Sequence, residues 1–431
     1  MDLQSDYNSC NSEQLRARYA LLKERYDAFK REGLKLDMSR GKPCKEQLEL
    51  SMDMLRATDA DDFIGGTDYR NYGGIDGIPA AKKLFADILE ASDEEVIIGG
   101  NSSLNMMYDT IVRALINGVN NKGGEGTPWS NLPSVKFICP SPGYDRHFAI
   151  CEHLNIEMIT VEMLESGPDM DAIERLVRED DTIKGIWCVP KYSNPEGTTY
   201  SDDTVDRLAA LETKAEDFRI FWDNAYAVHH LSDQHDKLKN ILEACKAAGH
   251  PDRVYLFAST SKITFPGAGV AAMATSKANA DLIRKQLSFQ TIGPDKMNQQ
   301  RHARFLGDMA QLERHMARHA ALIAPKFSLV LDRLESELGG RGIASWNKPS
   351  GGYFISLNTM DGCAREVVRL ASECGVTLTG AGATFPYGRD PRDRNIRIAP
   401  TFPSLAELDK AIDILCICVG MTSIDRILAN R

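Results

Sequence analysis

No CxxC pair, no metal-finger spacing and no run of basic residues occurs in this sequence of 431 residues. Its ten cysteines are scattered, and the closest pair, Cys416 and Cys418, sits in the apolar run "AIDILCICVGM". So long a chain is not a short disulfide scaffold, and thiols kept reduced in the cytoplasm are the expectation. The same spacing gives no reason to expect a bound metal. A net charge of −10 leaves no basic face to neutralise phosphates, which argues against nucleic acid as a partner. No stretch of about 18 apolar residues is present, so no membrane span is expected. The first residues, "MDLQSDYNSCNSEQ", contain no apolar segment of the signal-peptide kind. Internal repeats and low-complexity tracts are also missing.

What remains is an ordinary globular composition, 43% hydrophobic and 26% charged. At about 150 residues per domain, the length suggests two or three units. Leu15, Tyr19, Leu22, Tyr26 and Phe29 recur at helical spacing, predicting an amphipathic helix over 12–32 entered through a Ser12 cap. "LDMSRGKP" reads as a loop, and a helix is expected from Pro79. From about residue 95 to 290 apolar strands alternate with helices, as in "EVIIGGNSS", "SVKFICPSPGY", "IKGIWCVPKYSNPEG", "FRIFWDNAY", "VYLFAST" and "VAAMATS". That alternation predicts a mostly parallel α/β sheet covered on both faces. "DDTVDRLAALETKAED" is expected to be one helix, and the segment from Arg301 to Leu338 a single long helical stretch. The latter would lead to a smaller α+β unit containing "GGYFISLNT", "RNIRIAPTF" and a helix from Leu405.

In an open parallel sheet, ligands sit at the carboxyl ends of the strands. The residues there form a suggestive series. Asn101, Ser102 and Ser103 open a helix and suit a phosphate, or Ser merely caps that helix. Tyr144 lies in a turn and Asn194 in an Asn-Pro turn. Asp223 ends a very apolar strand, where a carboxylate is costly unless a cationic group pairs with it. Tyr226 follows three residues on. Ser259 and Lys262 follow another buried strand, and an amine among such small residues is a candidate for desolvation and nucleophilicity. Arg397 lies in a short apolar strand and needs an anionic partner; Asp390 and Asp393 are the nearest in sequence. Together these parts suit a flat, anionic, electron-accepting ring bound covalently to an amine.

In this order and spacing the series resembles the fold-type I pyridoxal-phosphate aminotransferases of the class I/II superfamily. "PGYDRH", "SKITFPGAG" and "PSGGYFISL" are most similar to a divergent bacterial branch of aspartate aminotransferases. The resemblance runs from Leu36 to Arg397. It implies a large cofactor-binding domain over 49–324 with a mostly parallel seven-stranded sheet sandwiched by helices. A smaller α+β domain would combine 1–48 and 325–431. It implies pyridoxal 5′-phosphate as cofactor, held as a Schiff base on Lys262, which also serves as general base. Asp223 would pair with the pyridinium nitrogen, Tyr226 and Asn194 with the ring 3-oxygen, and Tyr144 would stack on the ring. Asn101, Ser102, Ser103 and Ser259 would cradle the phosphate, joined across a homodimer interface by Tyr72. Arg397 would bind the substrate α-carboxylate, with Asn194 and Gly41 close by.

Two departures stand out. Relatives carry a phosphate-binding arginine eight residues after the lysine, where this chain has Val270. Lys296 and Arg301 are candidates to replace that charge, from this chain or a partner. The ligand of a distal substrate carboxylate has no evident equivalent, and Arg146 and Lys296 are the candidates. The implied activity is transfer of an amino group from an L-amino acid, with L-aspartate favoured, to a 2-oxo acid, with 2-oxoglutarate favoured. Alanine or aromatic aminotransferases and pyridoxal-phosphate β-lyases share the scaffold and are the alternatives. A non-catalytic cofactor-binding regulator domain is more remote, since fewer than about 40 residues precede "LDMSRGKP", too few for a DNA-binding domain.

Overall fold

The computed structural model describes residues 6–64, 67–121 and 124–431. Its main sheet contains β1 (Val96–Ile98), β2 (Lys136–Ser141), β3 (Glu157–Leu164), β4 (Gly167–Pro168), β5 (Ile183–Cys188), β6 (Arg219–Asp223), β7 (Val254–Ser259) and β8 (Ala271–Ala274). Their order across the sheet is β1-β8-β7-β6-β5-β2-β3-β4. The neighbours β7, β6, β5, β2 and β3 run parallel, while β8 is antiparallel to both β7 and β1. The sheet therefore has eight strands, not the expected seven. The additional one is a two-residue edge strand that folds back antiparallel on β3 through Glu165 and Ser166, too short to show a strand pattern in sequence.

Side-chain alternation along the strands builds two cores. Ile220, Trp222 and Leu256 face one side with the helices α2 (Pro79–Leu89), α5 (Met170–Glu179), α6 (Asp202–Ala209) and α7 (Ile241–Ala247). Phe221, Tyr255 and Phe257 face the other with α3 (Ser103–Asn117), α4 (Asp145–His153) and α8 (Lys277–Leu287). Covered on both faces, the parallel strands can be apolar throughout. A separate core joins α1 (Ser12–Glu32) to α11 (Ala364–Glu373), α12 (Leu405–Ala429) and the three-stranded antiparallel sheet β9 (Ala344–Trp346), β10 (Ile355–Thr359), β11 (Asn395–Ile398). All ten cysteines are buried, Cys416 and Cys418 within α12. Among the described residues no helix is long and apolar enough to cross a membrane.

Local chemistry corrects several expectations. Asn11, not Ser12, caps α1: its side chain accepts from the Gln14 amide, and Gln14 reciprocates. Leu36–Asp37, expected as loop, pairs in parallel with Val376–Thr377. The helix expected over 202–217 ends at Ala209, where the Arg253 guanidinium takes the carbonyls of Ala209 and Leu211. The long helical stretch is broken at Gly307, in a left-handed conformation with φ +61°. It separates α9 (Lys296–Leu306) from α10 (Met309–Leu338), which the Asp308 carboxylate caps.

Candidate active site

The carboxyl ends of β1, β2, β5, β6 and β7 meet along one edge of the main sheet, and a cavity of about 740 Å³ opens there. Ser102, Ser103, Tyr144, Asn194, Asp223, Tyr226, Ser259, Lys262, Gly41 and Arg397 all line it. Ser102 occupies the N-cap position of α3, but its hydroxyl makes no capping bond. The hydroxyl and the free amides of the first helical turn are thus left for a ligand, and such an end attracts anions. Ser259 Oγ donates to Ser261 Oγ at 3.0 Å.

Asp223 ends β6 almost fully buried. One carboxylate oxygen, Oδ2, lies 3.1 Å from His147 Nε2. The other, Oδ1, is buried with no partner among the described residues. His147 stacks on Trp187 with ring centroids 4.2 Å apart, so the imidazole that aims Asp223 is itself held by packing. A buried acceptor left over on a carboxylate is costly unless a ligand donates to it, and a protonated ring nitrogen is such a donor.

Lys262 sits where the β7 loop turns. Its Nζ lies 5.1 Å from the Tyr226 ring centre and 5.8 Å from that of Tyr353. No hydrogen bond or ion pair holds this amine among the described residues. Burial pushes its pKa down, against the opposing pull of Asp223, so a larger share of the amine is unprotonated and nucleophilic. Burial likewise raises Tyr226 well above the usual phenol range. Tyr144 is pushed up to about 12 by burial and by Asp223 and Asp145. Both phenols stay protonated and able to donate.

Arg397 comes from β11, opposite Ser356 of β10. Its Nη1 donates to Asp145 Oδ1 at 2.8 Å and to Asn194 Oδ1 at 3.2 Å, and its Nη2 to Thr379 Oγ1 at 3.1 Å. The guanidinium lies over the Phe354 ring at 4.8 Å, and Nε is buried without a partner. A Cβ at Gly41 would stand 2.5 Å from Phe354, so glycine lets "SRGKP" close over that ring.

A family model described as aspartate amino-transferase matches residues 10–431. The chain belongs to that family. An aspartate aminotransferase of Corynebacterium glutamicum is 47% identical over 92% of both chains. A Mycolicibacterium smegmatis protein provisionally named an aminotransferase is 48% identical over 99% of this chain and all of its own. The crystal structure of an aspartate transaminase from Corynebacterium glutamicum superposes with a TM-score of 0.94 at 44% identity, covering 98% of this chain and 100% of that one.

Several residues singled out from sequence stand elsewhere. Asn101 is exposed beside the cavity, where its backbone carbonyl accepts from Ser261 Oγ at 3.5 Å. Tyr72 is 81% exposed and borders a different hollow together with Lys296. Lys296 is buried, with Nζ on the Gly73 carbonyl at 2.8 Å. Neither Lys296 nor Arg301 of this chain lines the cavity. Val270 is buried, and its amide donates to Thr260 Oγ1. Asp390 accepts from the backbone amides of Arg392, Arg394 and Asn395, and Asp393 from that of Arg365, so neither pairs with Arg397. Sequence reasoning missed His147, Asp145 and Thr379. Only His147 had a signal, as a polar residue on the apolar face of "DRHFAICEH". Arg146 does line the cavity, joined by Arg40 and Lys42, which were not foreseen.

Proposed function

We propose that the chain is a pyridoxal 5′-phosphate-dependent aminotransferase, moving the amino group of L-aspartate to 2-oxoglutarate. One observation carries the reading: an unpartnered amine of depressed pKa and a buried carboxylate with one uncommitted oxygen share a cavity with a half-satisfied guanidinium. When bound, the cofactor supplies an aldehyde carbon and an electron-accepting ring. The residues fit it: a donor-hungry Asp223 for a ring N–H, uncommitted Ser102 and helix amides for a phosphate, and Lys262 as the attaching amine.

In this reading Lys262 Nζ first serves as nucleophile. Once released, it carries the proton removed from the substrate Cα. His147, 3.1 Å from Asp223 Oδ2, would orient the carboxylate so that Oδ1 is left for the ring nitrogen. Tyr226 and Asn194 would hydrogen-bond the ring oxygen, and Tyr144 would cover the ring face. Ser103, Ser259 and Asn101 complete the phosphate cradle. Arg397 takes the α-carboxylate through its uncommitted Nε and its Nη groups, with Gly41 alongside.

The preference for a dicarboxylic substrate is supported by charge. Of the carboxylates of the wall, Asp145 is already paired with Arg397, while Arg40, Lys42 and Arg146 add positive charge at the cavity. Arg146 is the candidate for the distal carboxylate. The separate hydrophobic cores support a small domain of 1–48 and 325–431 closing on a large domain of 49–324. The exposed Tyr72, Phe289 and Ile292 support a homodimer, in which Tyr72 and the charge of Arg301 serve the neighbouring phosphate. The compartment proposed is the cytoplasm. A panel of amino donors scored by 2-oxo acid formed tests the reading: aspartate leads, and Arg146→Met lowers its kcat/KM while sparing alanine. Fast turnover of alanine or phenylalanine with none of aspartate replaces it with one of those specificities.

A further inference from the structure

We propose that Glu196 is a positioning residue for the substrate carboxylate site, riveting the Asn194 loop to the strand beside Arg397. The inference rests on the roles proposed above for Asn194 and Arg397.

Glu196 lies two residues beyond Asn194, in a turn closed on itself. The Ser193 amide donates to the Thr198 carbonyl at 2.9 Å, and the Gly197 amide to the Ser193 carbonyl at 2.7 Å. A displacement of Glu196 is therefore passed to Asn194. Its carboxylate reaches out of the turn to the small sheet. Oε1 accepts from Ser356 Oγ at 2.6 Å, and Oε2 from Asn347 Nδ2 at 2.7 Å. Ser356 is the residue directly opposite Arg397 in the β10–β11 ladder. Gly197 lets the two surfaces meet, since a Cβ there would stand 2.5 Å from Pro349.

The donors in this network have only one consistent direction. Thr384 Oγ1 donates to Asn395 Oδ1 at 2.8 Å, and Asn395 Nδ2 donates to Ser356 Oγ at 2.8 Å. The single hydroxyl proton of Ser356 is then left for Glu196, which must accept on both oxygens. Only a carboxylate does that. A glutamine would keep one bond and turn its NH₂ against that of Asn347. The other end of the network holds the Tyr144 turn, because the Gly143 amide donates to the Thr384 carbonyl at 2.7 Å. Thr384, Asn395 and Ser356 are almost fully buried. The network thus links the two turns that face Arg397, which supply its Asp145 and Asn194 contacts.

The test compares the full-length holoenzyme with Glu196→Gln, Ser356→Ala and the double variant. It measures KM and kcat for aspartate and 2-oxoglutarate, the Kd of succinate as an unreactive dicarboxylate, bound-cofactor absorbance and Tm. Misplacing Asn194 and Arg397 weakens substrate and transition state alike, so KM and the succinate Kd rise about tenfold with kcat nearly unchanged. Tenfold corresponds to about 1.4 kcal/mol. The double variant is worse than either single one, because Ser356→Ala removes the bond that the glutamine keeps. Unchanged KM and Kd in Glu196→Gln, or rises that merely track a falling Tm and cofactor content in both single variants, overturn the inference. A wild-type protein that transaminates no donor overturns the functional reading instead, and the succinate Kd still reports on the rivet.

Discussion

Removing the Arg397 guanidinium is predicted to cost catalysis far more than stability. In the structure this group holds three side-chain acceptors at 2.8–3.2 Å and keeps Nε in reserve. A substrate carboxylate offers it two charge-assisted bonds, each worth about 1.5–3 kcal/mol. Losing both removes about 3–6 kcal/mol, which at about 1.4 kcal/mol per tenfold is roughly a 100- to 10,000-fold fall in kcat/KM for Arg397→Ala. Arg397→Lys keeps the charge without the fork and recovers only part of the loss. The assay is 2-oxo acid formation from aspartate and from a monocarboxylic donor in parallel. Because every amino acid carries the α-carboxylate, both donors must suffer alike. A loss below about fivefold, or one confined to aspartate, refutes the assignment and moves Arg397 to a structural or distal-carboxylate role.

Two further outcomes follow from the buried charges. Asp223→Asn removes the acceptor proposed for the ring nitrogen and is expected to lower kcat by about 100-fold or more, the scale of losing one preorganised electrostatic group. His147→Ala lowers it less, because the Asp223 carboxylate remains and loses only the partner that orients it, and the visible absorbance of bound cofactor shifts in both. For pH, burial holds His302 near a pKa of about 4 and His319 near about 3, below the unfolded value of about 6.5. Between those limits the unfolded chain binds protons that the native one refuses, so stability falls as pH drops from about 6.5 toward 4, by up to about 1.4 kcal/mol per histidine per pH unit. Denaturant midpoints measured across that range in wild type and His302→Gln check the sign: the variant's slope is shallower, and an unchanged slope rejects the mechanism.

The parts of the fold legible in sequence were those whose signal is local. Apolar strands alternating with helices revealed the parallel sheet, and Asp223 and Lys262 stood out as charges ending buried strands. Whatever depends on distant chain segments meeting was illegible. His147 reaches Asp223 across 76 residues of sequence, and Arg397 reaches Asp145 across 252. The acids nearest Arg397 in sequence, Asp390 and Asp393, are instead taken by backbone amides, Asp390 by that of Asn395 and Asp393 by that of Arg365. Gly307 illustrates a local signal underweighted: of the two helix-breaking residues in that stretch, the helix ends at Gly307 and runs on through Pro325. Lys296, a candidate for the phosphate counter-charge or the distal carboxylate, is committed to the Gly73 carbonyl.

The central claim is that Lys262 carries the cofactor. Borohydride reduction of the purified protein, followed by proteolysis and mass mapping, tests it most directly. The account predicts a phosphopyridoxyl group on the peptide containing Lys262 and loss of activity in step with labelling. A label on any other lysine, or an active enzyme that takes up none, contradicts it.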